Sequence, residues 1–167
     1  MTRSRMPKIT RSDTAGKDGV SAPVMLDSLE HELAYQLRRA QEASFAAFAR
    51  RVGGKGIWPG WYALLAIIGD NPGINQRDLS RAVGRDKSTL TASLRELTKA
   101  GLIERERDEA DQRIFRIRLS AAGAAHLAEL EQHAAVHNRA LDSIVGADNK
   151  GFLLGMLRDL ADRLGEM

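Results

Sequence analysis

Cysteine is absent from the 167 residues. Its absence removes disulfides, thiol nucleophiles, cysteine-ligated zinc and cysteine-based redox sensing at once. Proline is scarce and aromatic side chains make up 5% of the chain. No apolar run approaches the roughly 18 residues of a membrane span. The N-terminus has basic residues but no apolar core of a secretory signal. A cytoplasmic protein with no membrane partner is expected. The only phosphate-loop echo, Gly53-Gly54-Lys55-Gly56, lacks the spacing of a nucleotide-binding loop and joins no strand to a helix. No nucleophile–base–acid grouping stands out, so an enzyme is not expected and no cofactor is implied.

What is present is unevenly charged. Residues 1–24 carry five basic and two acidic side chains, and residues 75–118 carry eleven and eight. Residues 119–167 carry four basic and seven acidic side chains. Positive charge therefore collects in an N-terminal arm and in one central segment, which points to a polyanion. The arm, residues 1–24, can brush phosphates or simply aid solubility.

Apolar periodicity organises the rest. A helix is expected over residues 25–51, with Leu26, Leu29, Leu33, Leu37, Ala40 and Phe48 on one face. A second face carries His31, Tyr35, Arg38 and Phe45. Two adhesive faces exceed what a small core needs and suggest a partner chain. Pro59 suits the start of a second helix that buries Leu64, Leu65 and Ile68. Asp70-Asn71-Pro72-Gly73 is a turn. Asn75 and Asp86 are N-caps of two short helices separated by Gly84, and Gly101 stops the second. The first should bury Leu79, Ala82 and Val83, the second Leu90, Leu94 and Leu97. Period 2 then takes over in residues 102–107 and 114–119, a charged β-hairpin around the loop 108–112. Ser120 caps a long helix to Val145. Gly146 breaks it, and Asp148 or Asn149 caps a last helix.

Helix, glycine turn, polar-faced helix and basic hairpin follow the order of a winged helix-turn-helix. The predicted fold is mainly α with a small β-hairpin wing. Its parts are an arm (1–24), an N-terminal helix (25–56), the winged helix-turn-helix unit (57–119) and C-terminal helices (120–167), the first and last of these helical parts being the dimerisation helices that the family resemblance below implies. An α-helix fits the major groove of duplex DNA. Lys87, Ser88, Thr89 and Thr91 offer short donors and a methyl group there, beside Ala92, and Arg95 reaches farther. Arg113 at the hairpin tip can enter the minor groove, with Asp111 pairing to aim it. Arg105, Arg107, Arg116 and Arg118 divide between cross-strand pairing with Glu104 and Glu106 and phosphate contact, Arg107 being the foremost DNA candidate.

These motifs resemble the MarR family of transcriptional regulators. The resemblance rests on Gln76-Arg77-Asp78-Leu79-Ser80, Asp86-Lys87-Ser88-Thr89-Leu90-Thr91, Asp111-Gln112-Arg113 and Leu119-Ser120-Ala121-Ala122-Gly123. It implies a homodimer built from the first and last helices, bound to a pseudo-palindromic operator on double-stranded DNA. It also implies a repressor released by a small effector lodged between the dimer helices and the DNA-binding lobe. Tyr35, Phe45, Trp58, Trp61 and Tyr62 fall near that junction, with Arg38 and Arg39 close by. Flat apolar walls and guanidiniums suit an aromatic carboxylate or an aromatic acyl-CoA thioester. The same residues also read as core aromatics and surface ion pairs. His126, His133 and His137 share a helix face, read as solvated or interfacial, and no metal site is expected. The alternatives are a winged-helix protein-interaction module and a zinc-responsive regulator of the same fold.

Overall fold

The computed structural model describes residues 28–53, 60–84 and 86–165. The arm, Leu26, Trp58 and Pro59 lie outside the described residues. Helix α1 spans Leu33–Val52, so it starts later than the periodicity predicts. Residues 28–31 form a turn instead, with the Glu32 N–H donating to Leu29 O at 3.0 Å. Glu32, the N-cap, has extended backbone (φ −81°, ψ 118°), which separates that turn from the helix. Arg50 and Arg51 suit the negative end of the helix.

Helix α2 (Trp61–Asp70) buries Leu64, Leu65 and Ile68 completely, as expected. The following turn leads into a strand that periodicity cannot show. β1 is only Ile74–Asn75, paired antiparallel to β3 (Phe115–Leu119) in the register Ile74↔Ile117 and Asn75↔Arg116. With β2 (Ile103–Arg107) this makes a three-stranded sheet of order β1-β3-β2 in place of the expected hairpin. Two residues are too few for an alternating pattern to be visible.

Asn75 ends β1 and caps α3 (Gln76–Val83), its side chain accepting from the Asp78 N–H at 2.9 Å. Leu79 is fully buried and Val83 packs against the core, but Ala82 is exposed. The inward stripe of this eight-residue helix is thus the i, i+4 pair, and Ala82 lies off it. Gly84 turns the chain in the left-handed region, φ +63°. Helix α4 (Lys87–Lys99) then buries Leu90, Leu94 and Leu97.

β2 and β3 are joined by residues 108–114, a longer tip than the sequence suggests, because Ile114 leaves the strand to donate to Asp111 O. Ser120 caps α5 (Ala121–Val145), accepting from the Gly123 N–H at 2.9 Å and donating to Gly101 O. Helix α6 (Ala147–Gly165) begins directly after Gly146, so Asp148 and Asn149 lie within its first turn and do not cap it.

One core joins α2, α3, α4, the sheet and the first half of α5, with Phe48 and Val52 of α1 at its edge. Helix α6 buries no residue; Phe152 is 74% exposed, and Met156 and Leu157 are also open. Ile144, at the end of α5, is 81% exposed. Among the described residues no helix is long and apolar enough to cross a membrane.

Candidate nucleic-acid interface and effector cavity

Helix α4 is fixed on one side and open on the other. Its leucine stripe is in the core, while Lys87, Ser88, Thr89, Thr91, Ala92 and Arg95 are all exposed. Five of these, without Thr89, line a shallow open concavity of about 530 Å³. The N-terminus is held by Asp86, whose Oδ1 accepts from the Ser88 N–H (3.0 Å), the Thr89 N–H (2.9 Å) and the Ser88 hydroxyl. The Ser88 hydroxyl, then Thr89, hold this carboxyl well below the usual carboxylate range.

The hydroxyls on this face are less available as donors than the sequence suggests. Ser88 donates to Asp86, and Thr91 donates to Lys87 O at 2.6 Å. Thr91 Oγ1 also accepts from Gln76 Nε2 at 2.8 Å. A hydroxyl has one proton, so among the described residues Lys87 and Arg95 are the charged donors this face presents outward. Arg95 meets Glu96 only loosely, at 3.6 Å with both side chains exposed.

The wing is organised by Asp108. Its Oδ1 accepts from the Ala110 and Asp111 N–H groups, each at 3.0 Å, and its Oδ2 accepts from Arg116 Nε. The Asp111 N–H first, then Arg116, keep the Asp108 carboxyl below its ordinary range. Asp111 in turn accepts from the backbone N–H of Arg113 at 2.9 Å. The expected brace therefore acts on the main chain of Arg113 and not on its guanidinium. Among the described residues no ion pair engages that guanidinium, which lies exposed. It lines a cleft of about 570 Å³ with Arg77 and Arg81 of α3. These two arginines were not singled out from sequence. Their i, i+4 spacing on the short helix before the recognition helix was the available signal.

The strand arginines are mostly engaged within the hairpin. Arg118 bonds Glu104 at 2.8 Å and is bidentate to Glu106. Arg107 donates to Gln112 O and lies 5.1 Å from the Phe115 ring centroid, with Arg105 at 4.7 Å. Arg107 thus spends one donor on the tip, while its side chain stays exposed.

A second concavity, of about 320 Å³, opens among α1, α2 and α5. Phe45, Phe48 and Tyr62 form apolar walls, and Gln41, Ser44, His137 and Asn138 supply polar groups. Ser44 Oγ and His137 Nε2 share a hydrogen bond at 2.9 Å. The His137 ring lies 5.5 Å from that of Phe48. His137 is only 9% exposed, which corrects its reading as part of a solvated or interfacial histidine face. Of the residues expected near an effector, Phe45 and Tyr62 line this space, and Trp61 packs against the core. Tyr35, Arg38 and Arg39 do not line it. Arg38 pairs with Glu42 at 2.9 Å, and the Arg39 guanidinium lies 5.7 Å from the Tyr35 ring centroid. Trp58 is outside the described residues. Ser44, not singled out from sequence, and His137, expected only on a solvated or interfacial face, lie 93 positions apart on α1 and α5.

The MarR family model matches residues 55–114. The chain is 31% identical over 140 residues to a putative transcriptional regulatory protein for the hcr operon of Thauera aromatica, covering 83% of this chain and 84% of that one. The chain belongs to the MarR family. Two solved structures extend the comparison. The transcriptional repressor CouR bound to a 23-mer DNA duplex is 30% identical, with a TM-score of 0.75 over 84% of this chain and 99% of that one. CouR bound to p-coumaroyl-CoA is 29% identical, with a TM-score of 0.74 over 83% and 98%. As a MarR-family member, this protein is a DNA-binding transcriptional regulator with a winged helix-turn-helix, and its relatives are regulators and not enzymes.

Proposed function

We propose that this MarR-family protein is a cytoplasmic, homodimeric repressor that leaves its operator when an aromatic acid or aromatic acyl-CoA thioester binds. The observation that carries this reading is the pairing of an outward recognition face on α4 with a wing whose backbone is fixed and whose Arg113 guanidinium is free. Helix α4 enters the major groove, Lys87 and Arg95 contact phosphates or base edges, and Arg113 reaches the adjacent minor groove. Arg77 and Arg81 flank Arg113 together with Asp78, which meets Arg81 at 4.0 Å, so the cleft keeps a surplus of positive charge. The apolar face left open on α6, with Ile144, is covered by a second copy. A pseudo-palindromic operator follows from that two-fold symmetry, with half-sites about 34 Å apart.

The effector's aromatic group occupies the cavity against Phe45, Phe48 and Tyr62, and Ser44, His137 or Asn138 bonds its polar end. A CoA moiety would extend beyond the 320 Å³ space. CouR, similar over nearly its whole length, has been solved with both DNA and p-coumaroyl-CoA. The test is a thermal-shift series of aromatic acids and their CoA thioesters, followed by titration of each stabilising compound into the protein–operator complex. A compound that raises Tm and releases DNA supports the reading. Stabilisers that leave DNA binding unchanged overturn the effector assignment.

A further inference from the structure

The bonds made by Thr91 bear on how sequence is read. Its side chain is exposed in the middle of the α4 face, four residues from Lys87 on one side and Arg95 on the other. Yet its hydroxyl is committed to the protein. The single proton is given to Lys87 O at 2.6 Å, and Gln76 of α3 donates to Oγ1 at 2.8 Å. A threonine held in this way has no hydroxyl proton for a base. What it still offers, beside the methyl of Ala92, is Cγ2. Two methyl groups between two flanking cations form an apolar spot on a polar surface. In the major groove the matching apolar feature is the C5-methyl group of thymine.

We propose that Thr91 reads a thymine methyl group in each half-site, and that Gln76 is the positioning residue that keeps the Thr91 methyl outward. The inference rests on α4 docking in the major groove. Without the Gln76 bond, threonine's rotamers in a helix divide between alternatives, because Oγ1 and the methyl compete for the same position. Gln76 removes that choice from the next helix, and so couples the position of α3 to base recognition. Losing a buried methyl weakens association about fourfold per half-site, or about fifteenfold for a symmetric pair.

The experiment uses the full chain and a duplex enriched by it from a random-sequence pool. Each thymine is replaced in turn by deoxyuridine, which removes only the methyl, and affinity is read by fluorescence anisotropy. A symmetric pair of thymines should show the fourfold loss per half-site with the natural protein. That preference should vanish in Thr91→Ser and persist in Thr91→Val, which shows a methyl group in either rotamer. Gln76→Ala should shrink the thymine-to-uracil ratio, and adding Thr91→Val should restore it. A purely structural role for Gln76 would weaken both duplexes equally and leave the ratio unchanged, which would overturn its positioning role. Selective binding with no uracil-sensitive position, or a ratio unchanged in Thr91→Ser, overturns the methyl reading while leaving the docking intact. Failure to enrich any sequence overturns the docking itself. A scan of the natural protein with no uracil-sensitive position overturns the methyl reading even if a variant does not fold, and Thr91→Ser against Thr91→Val separates Thr91 from the neighbouring Ala92 methyl.

Discussion

Gly123 lies under the backbone of Leu102 so closely that a Cβ at position 123 would meet the Leu102 carbonyl oxygen at 1.9 Å. The first turn of α5 is pressed onto the entry to β2, and the Leu102 carbonyl also accepts from the Ser120 N–H at 3.1 Å. The glycine of the Leu119-Ser120-Ala121-Ala122-Gly123 motif is thus a packing requirement at the base of the wing. Gly123→Ala should cost about 1–3 kcal/mol of stability, because the clash is with main chain that cannot swing aside. The gain in helix propensity from glycine to alanine, about 1 kcal/mol, offsets only part of that strain. Urea denaturation should show a lower midpoint with an unchanged slope.

Acid should loosen the DNA-binding face before the core. The Asp86 and Asp108 carboxyls are both held below their ordinary range in the fold. A depressed pKa means the charged form favours folding, so the contribution is complete above about pH 4, the ordinary carboxylate range. It is lost as pH falls through that range and below. Asp86→Asn and Asp108→Asn should each flatten part of the acid limb of a pH titration followed by circular dichroism. The double variant should flatten it further than either single variant.

Arg113 should contribute to DNA affinity chiefly through charge. Arg113→Ala should weaken binding and reduce the slope of log affinity against log salt by about 1 for each phosphate the guanidinium neutralises. Phe115→Ala should have a related but indirect effect. It removes the ring beside which Arg105 and Arg107 lie, so the tip loses support while keeping its charge. Affinity should fall with the salt slope retained, and filter binding across a salt series separates the two cases.

Dimer formation should depend on α6. Leu153→Asp with Leu157→Asp places two charges on its open apolar face. Sedimentation velocity should show a shift from dimer to monomer. Operator binding should weaken in parallel, since two linked half-sites become independent.

Legibility from sequence followed the range of each interaction. The caps Asn75, Asp86 and Ser120 and the turns at Gly84 and Gly101 are local devices, and all were visible. So were the stripes Leu64-Leu65-Ile68 and Leu90-Leu94-Leu97, whose period depends only on the helix that carries them. β1 was not visible, because its two residues become a strand only by pairing with β3, some forty positions later. The late start of α1 was also missed, since apolar spacing continues upstream where the hydrogen-bonded turn at 28–31 replaces the helix. Around the cavity the aromatic residues Phe45 and Tyr62 announced themselves. The Ser44–His137 pair did not, since Ser44 has no local pattern and the histidine spacing that marks His137 does not show that its ring turns inward to a helix 93 positions away. Asp111 was legible as a brace, but its partner atom depended on a loop geometry that spacing alone does not define.

The two-residue strand has a mechanical consequence. The Gly73 N–H bonds Ile117 O at 2.9 Å, Arg116 reaches back to Gly73 O at 3.4 Å, and Asn75 passes directly from the sheet into α3. Wing and helix pair are thereby joined through the backbone of one short sheet. A signal from the cavity then has little freedom to tilt the arginine tip relative to the helices. Under the proposed dimeric, effector-released reading, it would reach DNA as a change in the distance or angle between two such joined units. Operator spacing, more than the identity of any one base, is therefore the quantity to which release should be most sensitive.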